Sequence, residues 1–65
     1  MTVDQALDLI QADPYTRRSK KLTTGTWRGA RSIRAGDRRI VYRVDHGHVQ
    51  VLRVEHHKSA YRRPR

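Results

Sequence analysis

Two glycine-containing turns constrain what the second half of this 65-residue chain can fold into. His46-Gly47 separates two short runs that are rich in β-branched and aromatic residues, and Gly36-Asp37 precedes the first of these runs. Glycine readily adopts the positive φ that a two-residue hairpin loop requires. The sequence therefore predicts a three-stranded antiparallel meander.

The turns also predict which residues face each other across the strands. A two-residue loop at Gly36-Asp37 pairs Ile33 with Ile40 and places Arg34 directly opposite Arg39. The second loop predicts four further pairs on one face: Val44 with Val49, Tyr42 with Val51, Ile40 with Arg53, and Arg38 with Glu55.

Because side chains alternate along a strand, the meander has two different faces. The apolar one, which we call the core face, is predicted to carry Ile33, Ile40, Tyr42, Val44, Val49 and Val51. The opposite one, which we call the outer face, is predicted to carry Arg34, Arg39 and Arg43 among Val41, Leu52 and Val54, with His56 at the strand end.

The predicted pair of Arg34 and Arg39 is the unusual feature of the outer face. Like charges directly across two strands cost about 0.2 to 1 kcal/mol, and a bound anion would relieve that repulsion. Phosphate fits this role because a guanidinium group matches it with two parallel hydrogen bonds. The alternative is a solvated surface on which arginine stems cover Val41 and Leu52 while the charged ends stay in water.

The charge of the chain also favours an anionic partner. Fifteen lysines and arginines against six acids give a formal net charge of +9. Residues 1–13 hold three of the acids and no lysine or arginine, so the basic excess belongs to the predicted sheet and its flanks. This distribution is typical of nucleic-acid-binding proteins. Nothing resembles a basic amphipathic helix, so no membrane partner is predicted.

The size and composition predict a single domain over residues 1–65 with a small core. The chain has no cysteine, which excludes disulfides and a cysteine-ligated zinc site. No cofactor or metal is predicted, since His46 and His48 flank a turn without convergent ligands. With no signal peptide or transmembrane run, the expected location is the cytoplasm.

The N-terminal segment predicts one short helix. Thr2 and Gln5 fit a capping box, and Pro14 limits the helix to about residue 12. Residues 15–29 show no clear period and are interpreted as an irregular connection. The predicted class is α+β, with the helix packed on an antiparallel sheet of three or slightly more strands.

The chain resembles the RelE/ParE superfamily of bacterial toxins. The resemblance rests on a helix ending in ADP, a KKL element, the strand pair IRAGDRRIVYRV and the closing VEHHKSAYRR, and covers about residues 3–63. Its most specific part is GDRRIVYRV followed by V-x-H-x-x-x-x-Y. Family members usually begin with a further strand and a longer helix, so this chain looks like a short form whose exposed sheet edge would favour a homodimer or cover by a partner.

The resemblance implies one half of a type II toxin–antitoxin pair, with a cognate antitoxin as partner. RelE-like members cleave mRNA on the ribosome, whereas ParE-like members act on DNA gyrase and are not nucleases. Ribosome-dependent mRNA cleavage is the leading hypothesis. A gyrase-directed toxin and a basic nucleic-acid-binding module remain open alternatives.

The resemblance also implies roles for single residues. Arg39 would contact the scissile phosphate, His56 or His57 would act as acid or electrostatic stabiliser, and Tyr61 would lie near the RNA. The residues expected to bind RNA phosphates are Arg31, Arg34, Arg39, Arg43 and Lys58. Such cleavage needs no metal, because the 2′-hydroxyl of RNA is the nucleophile and the protein supplies only proton transfer and positive charge.

Overall fold

The computed structural model describes residues 1–56. Along the chain it contains α1 (Val3–Ala12), β1 (Ser19–Lys21), β2 (Arg31–Ala35), β3 (Arg38–Asp45) and β4 (His48–His56). The strands form one antiparallel sheet in the order β1-β2-β3-β4, and α1 packs on its core face. The predicted α+β class is therefore confirmed. Within residues 1–56, no helix is long and apolar enough to cross a membrane.

Helix α1 begins and ends as its sequence predicts. The hydroxyl of Thr2 accepts a hydrogen bond from the Gln5 backbone N–H at 3.1 Å, and the Gln5 side chain accepts one from the Thr2 backbone N–H at 2.9 Å. This reciprocal capping box satisfies two backbone donors that a helix start leaves without partners. Ala6 and Ile10 are fully buried, so they anchor the helix to the sheet.

Strand β1 lies in the segment that was interpreted as irregular, and that interpretation was wrong for residues 19–21. Ser19 pairs with Ile33 and Lys21 pairs with Arg31. A strand of three residues with two lysines has no apolar alternation to reveal it. Its conformation comes from the free edge of β2, where backbone groups need hydrogen-bonding partners.

Both predicted hairpin turns are confirmed. Gly36 has a φ of 63° and lies first in a two-residue loop closed by the pair Ala35 and Arg38. In the second loop, His46 and Gly47 have φ values of 51° and 80°. Positive φ at both central positions is the type I′ geometry, which matches the twist of the adjoining strands. The turns therefore fix the register close to them, including the pair Val44 and Val49.

The register of β4 changes at Leu52. Tyr42 pairs with Val51 as predicted, but the next residue of β3, Val41, pairs with Arg53. Leu52 is thus the extra residue of a β-bulge, which adds one residue to one strand and shifts all pairs beyond it. Two adjacent apolar residues, Val51 and Leu52, already break the alternation of the strand at this point.

This bulge overturns the predicted pairs Ile40–Arg53 and Arg38–Glu55. The structure instead pairs Ile40 with Val54, Arg39 with Glu55, and Arg38 with His56. A one-residue shift moves side chains to the other face of the sheet. Arg53 and Glu55 therefore lie on the outer face, whereas Val54 and His56, which were predicted there, lie on the core face.

The core between α1 and the sheet centres on Tyr42, which is fully buried. Its hydroxyl donates a hydrogen bond to the backbone carbonyl of Pro14 at 2.6 Å. This bond ties the segment after α1 to the middle of β3.

The Tyr42→Phe variant should unfold more easily by about 0.5 to 1.5 kcal/mol, because it leaves the Pro14 carbonyl without this donor. Urea unfolding followed by circular dichroism measures the difference. Tyr15→Phe is the matched control, since Tyr15 is 64% exposed, and a surface change of this kind should stay within about 0.5 kcal/mol. Equal losses in the two variants would contradict the role given to the Tyr42 hydroxyl.

Candidate phosphate-binding face

The outer face of the sheet is strongly basic. The strand register places five cationic side chains on it: Lys20, Arg34, Arg39, Arg43 and Arg53. The acidic residues that the described strands add to this face are Glu55 of β4 and Asp45 at the end of β3. Such an array fits a polyanionic partner.

The predicted juxtaposition of Arg34 and Arg39 is present in the sheet. Arg34 is exposed and makes no ion pair with residues 1–56. Val41, two residues along β3 from Arg39 and on the same face, is completely buried although α1 covers the other face. Arginine stems lying over Val41 would explain this burial, since such stems cover apolar surface while their charged ends stay in water.

Arg39 has a protein partner that the sequence did not predict. Its Nη2 lies 2.9 Å from Oε1 of Glu55, and Nε of Arg53 lies 2.9 Å from the other carboxylate oxygen. Glu55 thus bridges two arginines across β3 and β4. The Nε atom of Arg39 is buried and has no acceptor among residues 1–56. The hydrogen bond to Glu55 therefore holds the guanidinium group of Arg39 in place before a phosphate arrives, whereas its buried Nε is not accessible to that ligand.

The Glu55 bridge should make stability depend on acidity. The hydrogen bond from Arg39 lowers the pKa of the Glu55 carboxyl below its ordinary value, and the nearby charges of Arg39 and Arg53 act in the same direction. A group with a lowered folded-state pKa stabilises the fold above its unfolded pKa, about 4.3 for glutamate, and loses that contribution as pH falls through the folded value.

We therefore expect the free energy of unfolding to fall as the solution is acidified below about pH 5. The part of this fall that comes from protonation of Glu55 should be absent in Glu55→Gln. Urea unfolding at a series of pH values measures it. Asp45→Asn is a suitable control, because Asp45 is exposed and pairs only with exposed His46 among the described residues. An identical acid dependence in Glu55→Gln and the unchanged protein would show that the bridge does not stabilise the fold.

His56 is not on the face where it was expected. It lies across from Arg38, and its Nε2 atom is 3.0 Å from Oδ2 of Asp37 in the first hairpin turn. Its Nδ1 atom is buried and has no partner among residues 1–56. The imidazole of His56 therefore links the end of β4 to that turn. Because of the bulge in β4, His56 lies on the core face and Arg39 on the outer face.

The other predicted site residues divide into three groups. Arg43 lies on the outer face opposite Gln50 and is exposed. Arg31 pairs with Tyr42, so it lies on the core-face side of the sheet rather than with Arg34 and Arg39. The remaining candidates, His57, Lys58 and Tyr61, lie outside the described residues. Across residues 1–56, no group of three or more histidine, cysteine or acidic side chains is placed to hold a metal ion.

Sequence reasoning missed Glu55 and Arg53 as members of this face. The available signal was the adjacent pair Val51 and Leu52, which is incompatible with strict alternation and marks the bulge. A bulge placed there turns Glu55 toward Arg39 without any other change in the strand.

Comparison with known proteins identifies a family. The family model of the ParE toxin of type II toxin–antitoxin systems, parDE, matches residues 2–61. No curated protein and no solved structure matches the sequence significantly.

Proposed function

We propose that this chain, which belongs to the ParE toxin family of type II toxin–antitoxin systems, binds mRNA through its outer face and cleaves it on the ribosome. Family membership makes it a toxin with a cognate antitoxin as partner. Translating ribosomes are cytoplasmic, so this target places its action in the cytoplasm.

The observation that carries the proposal is the pairing of Arg34 with Arg39 on a face whose described strands add five cations and two acidic residues. Two guanidinium groups side by side repel each other in the free protein and can both bind one phosphodiester. Arg39 is the main phosphate-binding residue of this proposal, because its hydrogen bond to Glu55 orients its guanidinium group. The same arrangement stabilises extra negative charge better than a solvated surface does, because the donors are already in place.

Cleavage by this face would use the RNA as its own nucleophile. The 2′-hydroxyl attacks the neighbouring phosphorus and loses its proton to a base, while the leaving 5′-oxygen takes a proton from an acid. The products are a 2′,3′-cyclic phosphate and a free 5′-hydroxyl. Arg34 and Arg39 neutralise the phosphorane-like transition state, and Glu55 holds the guanidinium group of Arg39 in place for this role.

The acid and the second RNA contact are assigned to the segment that follows β4. His57 and Tyr61 supply an imidazole and a phenol there, and Lys58 adds a further positive charge. His56 holds the end of β4 in place through Asp37, and it is a positioning residue in this scheme.

Expression of the protein in bacterial cells, followed by end-group analysis of total RNA, tests the proposal. New mRNA fragments ending in cyclic phosphate are the expected result, and co-expression of the antitoxin should suppress them. Growth arrest without such fragments would contradict nuclease action.

A second candidate is a toxin that acts on DNA gyrase without cleaving RNA. The matching family model is that of ParE, and His56 does not share a face with Arg39. In this case the outer face would bind a protein or DNA rather than a scissile phosphate. Inhibition of gyrase supercoiling by the purified protein, with intact mRNA, would favour it.

A further inference from the structure

A cleft on the core-face side of the sheet has no role in the function proposed above. Its volume is about 210 Å³, and it is lined by Tyr15, Lys21, Gly29, Arg31 and Val44. Arg31 pairs with Tyr42 of the core, so the cleft lies on the face opposite to Arg34 and Arg39. It combines two cations with an aromatic ring and an aliphatic side chain.

The two cations of this cleft are cross-strand neighbours. Lys21 of β1 lies directly opposite Arg31 of β2. Neither side chain makes a salt bridge with residues 1–56. Like charges at this position repel by about 0.2 to 1 kcal/mol, and no carboxylate of residues 1–56 forms an ion pair that would offset the repulsion. A bound anion would therefore stabilise this pair, as it would the pair of Arg34 and Arg39 on the outer face. The outer-face pair already has Glu55 beside it, whereas Lys21 and Arg31 have no ion-pair partner among residues 1–56.

Arg31 is held in a fixed orientation. Its Nε donates to the hydroxyl of Ser19 at 3.0 Å, and this buried hydroxyl in turn donates to the backbone carbonyl of Thr16 at 2.8 Å. The guanidinium carbon lies 5.4 Å from the centroid of the Tyr15 ring, a cation–π distance. The terminal nitrogens of Arg31 have no hydrogen-bond acceptor among residues 1–56. A planar fork of donors is thus positioned beside the cleft before any ligand arrives.

We propose that this cleft binds a nucleotide of single-stranded nucleic acid, with the phosphate between Lys21 and Arg31 and the sugar and base against Tyr15 and Val44. Guanidinium and ammonium groups together suit a phosphate, and exposed aromatic rings bind bases of any sequence. A carboxylate alone would leave most of the cleft empty and the Tyr15 ring unused. The cleft is open at Gly29, where an added Cβ would meet no atom within 4 Å.

This site is independent of the catalytic proposal. It would let the chain hold one stretch of nucleic acid on the core-face side while the outer face binds another. It would do so whether the toxin cleaves mRNA or acts on gyrase.

The test is a titration of the ¹⁵N-labelled full chain with uridine 5′-monophosphate, followed by NMR. We expect the backbone signals of Tyr15, Gly29 and Arg31 to shift, and Lys21→Gln to weaken binding about five- to tenfold through loss of one charge-assisted contact. Lys20→Gln is the matched control, because Lys20 is the preceding residue of β1 and points to the outer face. It should change the affinity less than about twofold.

Three results would overturn the proposal. Equal weakening by Lys20→Gln and Lys21→Gln would show nonspecific attraction to a basic protein. Equal affinity for inorganic phosphate and for the nucleotide would show that Tyr15 and Val44 contact no base or sugar. Shifts caused by a hexaglutamate peptide but not by the nucleotide would assign the cleft to an acidic protein partner. A spectrum of Lys21→Gln that is unchanged away from β1 confirms that the variant is folded.

Discussion

Arg39→Ala is expected to lower the rate of mRNA cleavage by about 10²- to 10³-fold, the loss typical of removing one preorganised stabiliser of transition-state charge. Arg39 is the outer-face cation that both donates a hydrogen bond to Glu55 and lies directly opposite Arg34. Cleavage of a reporter mRNA in a translating extract measures the rate. Growth arrest on expression should weaken with it.

The neighbouring residue provides a control for this prediction. Arg38→Ala removes the same charge from the same strand, but Arg38 pairs with His56 and lies toward the core face. It should reduce cleavage less than about threefold, the size of a surface charge contribution. Arg39→Lys separates charge from geometry, since lysine keeps the charge but cannot bind phosphate with a planar fork. Equal activity of Arg38→Ala and Arg39→Ala would contradict the assignment of Arg39.

Ile40→Ala is expected to have the largest effect on stability, a loss of about 2 to 5 kcal/mol for truncating a buried isoleucine. Ile40 is fully buried in the cluster that joins α1 to the sheet. A chain of this length has about 3 to 10 kcal/mol of stability in total, so the variant loses a large fraction of it and should unfold at a clearly lower temperature. Thermal unfolding followed by circular dichroism measures the change.

Val54→Ala is the control for this loss. Val54 lies opposite Ile40 on the same face but is 44% exposed, so its truncation should cost less than about 1 kcal/mol. Similar losses of stability in Ile40→Ala and Val54→Ala would mean that the side chains of β4 are as deeply buried as those of β3. The buried cluster would then extend over the edge strand, contrary to the structure.

Local signals in the sequence predicted the parts of the fold that depend on local physics. The capping box at Thr2, the proline after α1 and the glycines of both turns each act within a few residues, and all three features appear where they were expected. The register next to each turn followed from them. The pairing of Arg34 with Arg39 is one consequence.

The features that sequence reasoning missed depend on contacts between distant segments. Strand β1 forms because β2 offers it an edge, and two lysines give no sign of this. The bulge at Leu52 was visible only as one break in the alternation, yet it decides the face of every later residue in β4. It exchanged Val54 and His56 for Arg53 and Glu55 on the outer face, and so gave Arg39 its carboxylate partner.

The carboxylate partner changes the interpretation of the outer face. An empty array of arginines would bind any anion, whereas Arg39 and Arg53 already share Glu55. A phosphate must therefore displace this bridge or bind beside it, which favours a ligand that offers several contacts at once. RNA held by Lys20, Arg34 and Arg43 as well as Arg39 meets that requirement.

The most direct test of the central claim is primer extension on a defined mRNA in a purified translation system, with and without the protein. The account predicts cuts within codons occupied by ribosomes, none in the same message without ribosomes, and loss of these cuts with Arg39→Ala but not with Arg38→Ala. Intact message under all conditions, together with inhibition of gyrase supercoiling, would contradict mRNA cleavage and assign the toxin to the second candidate function.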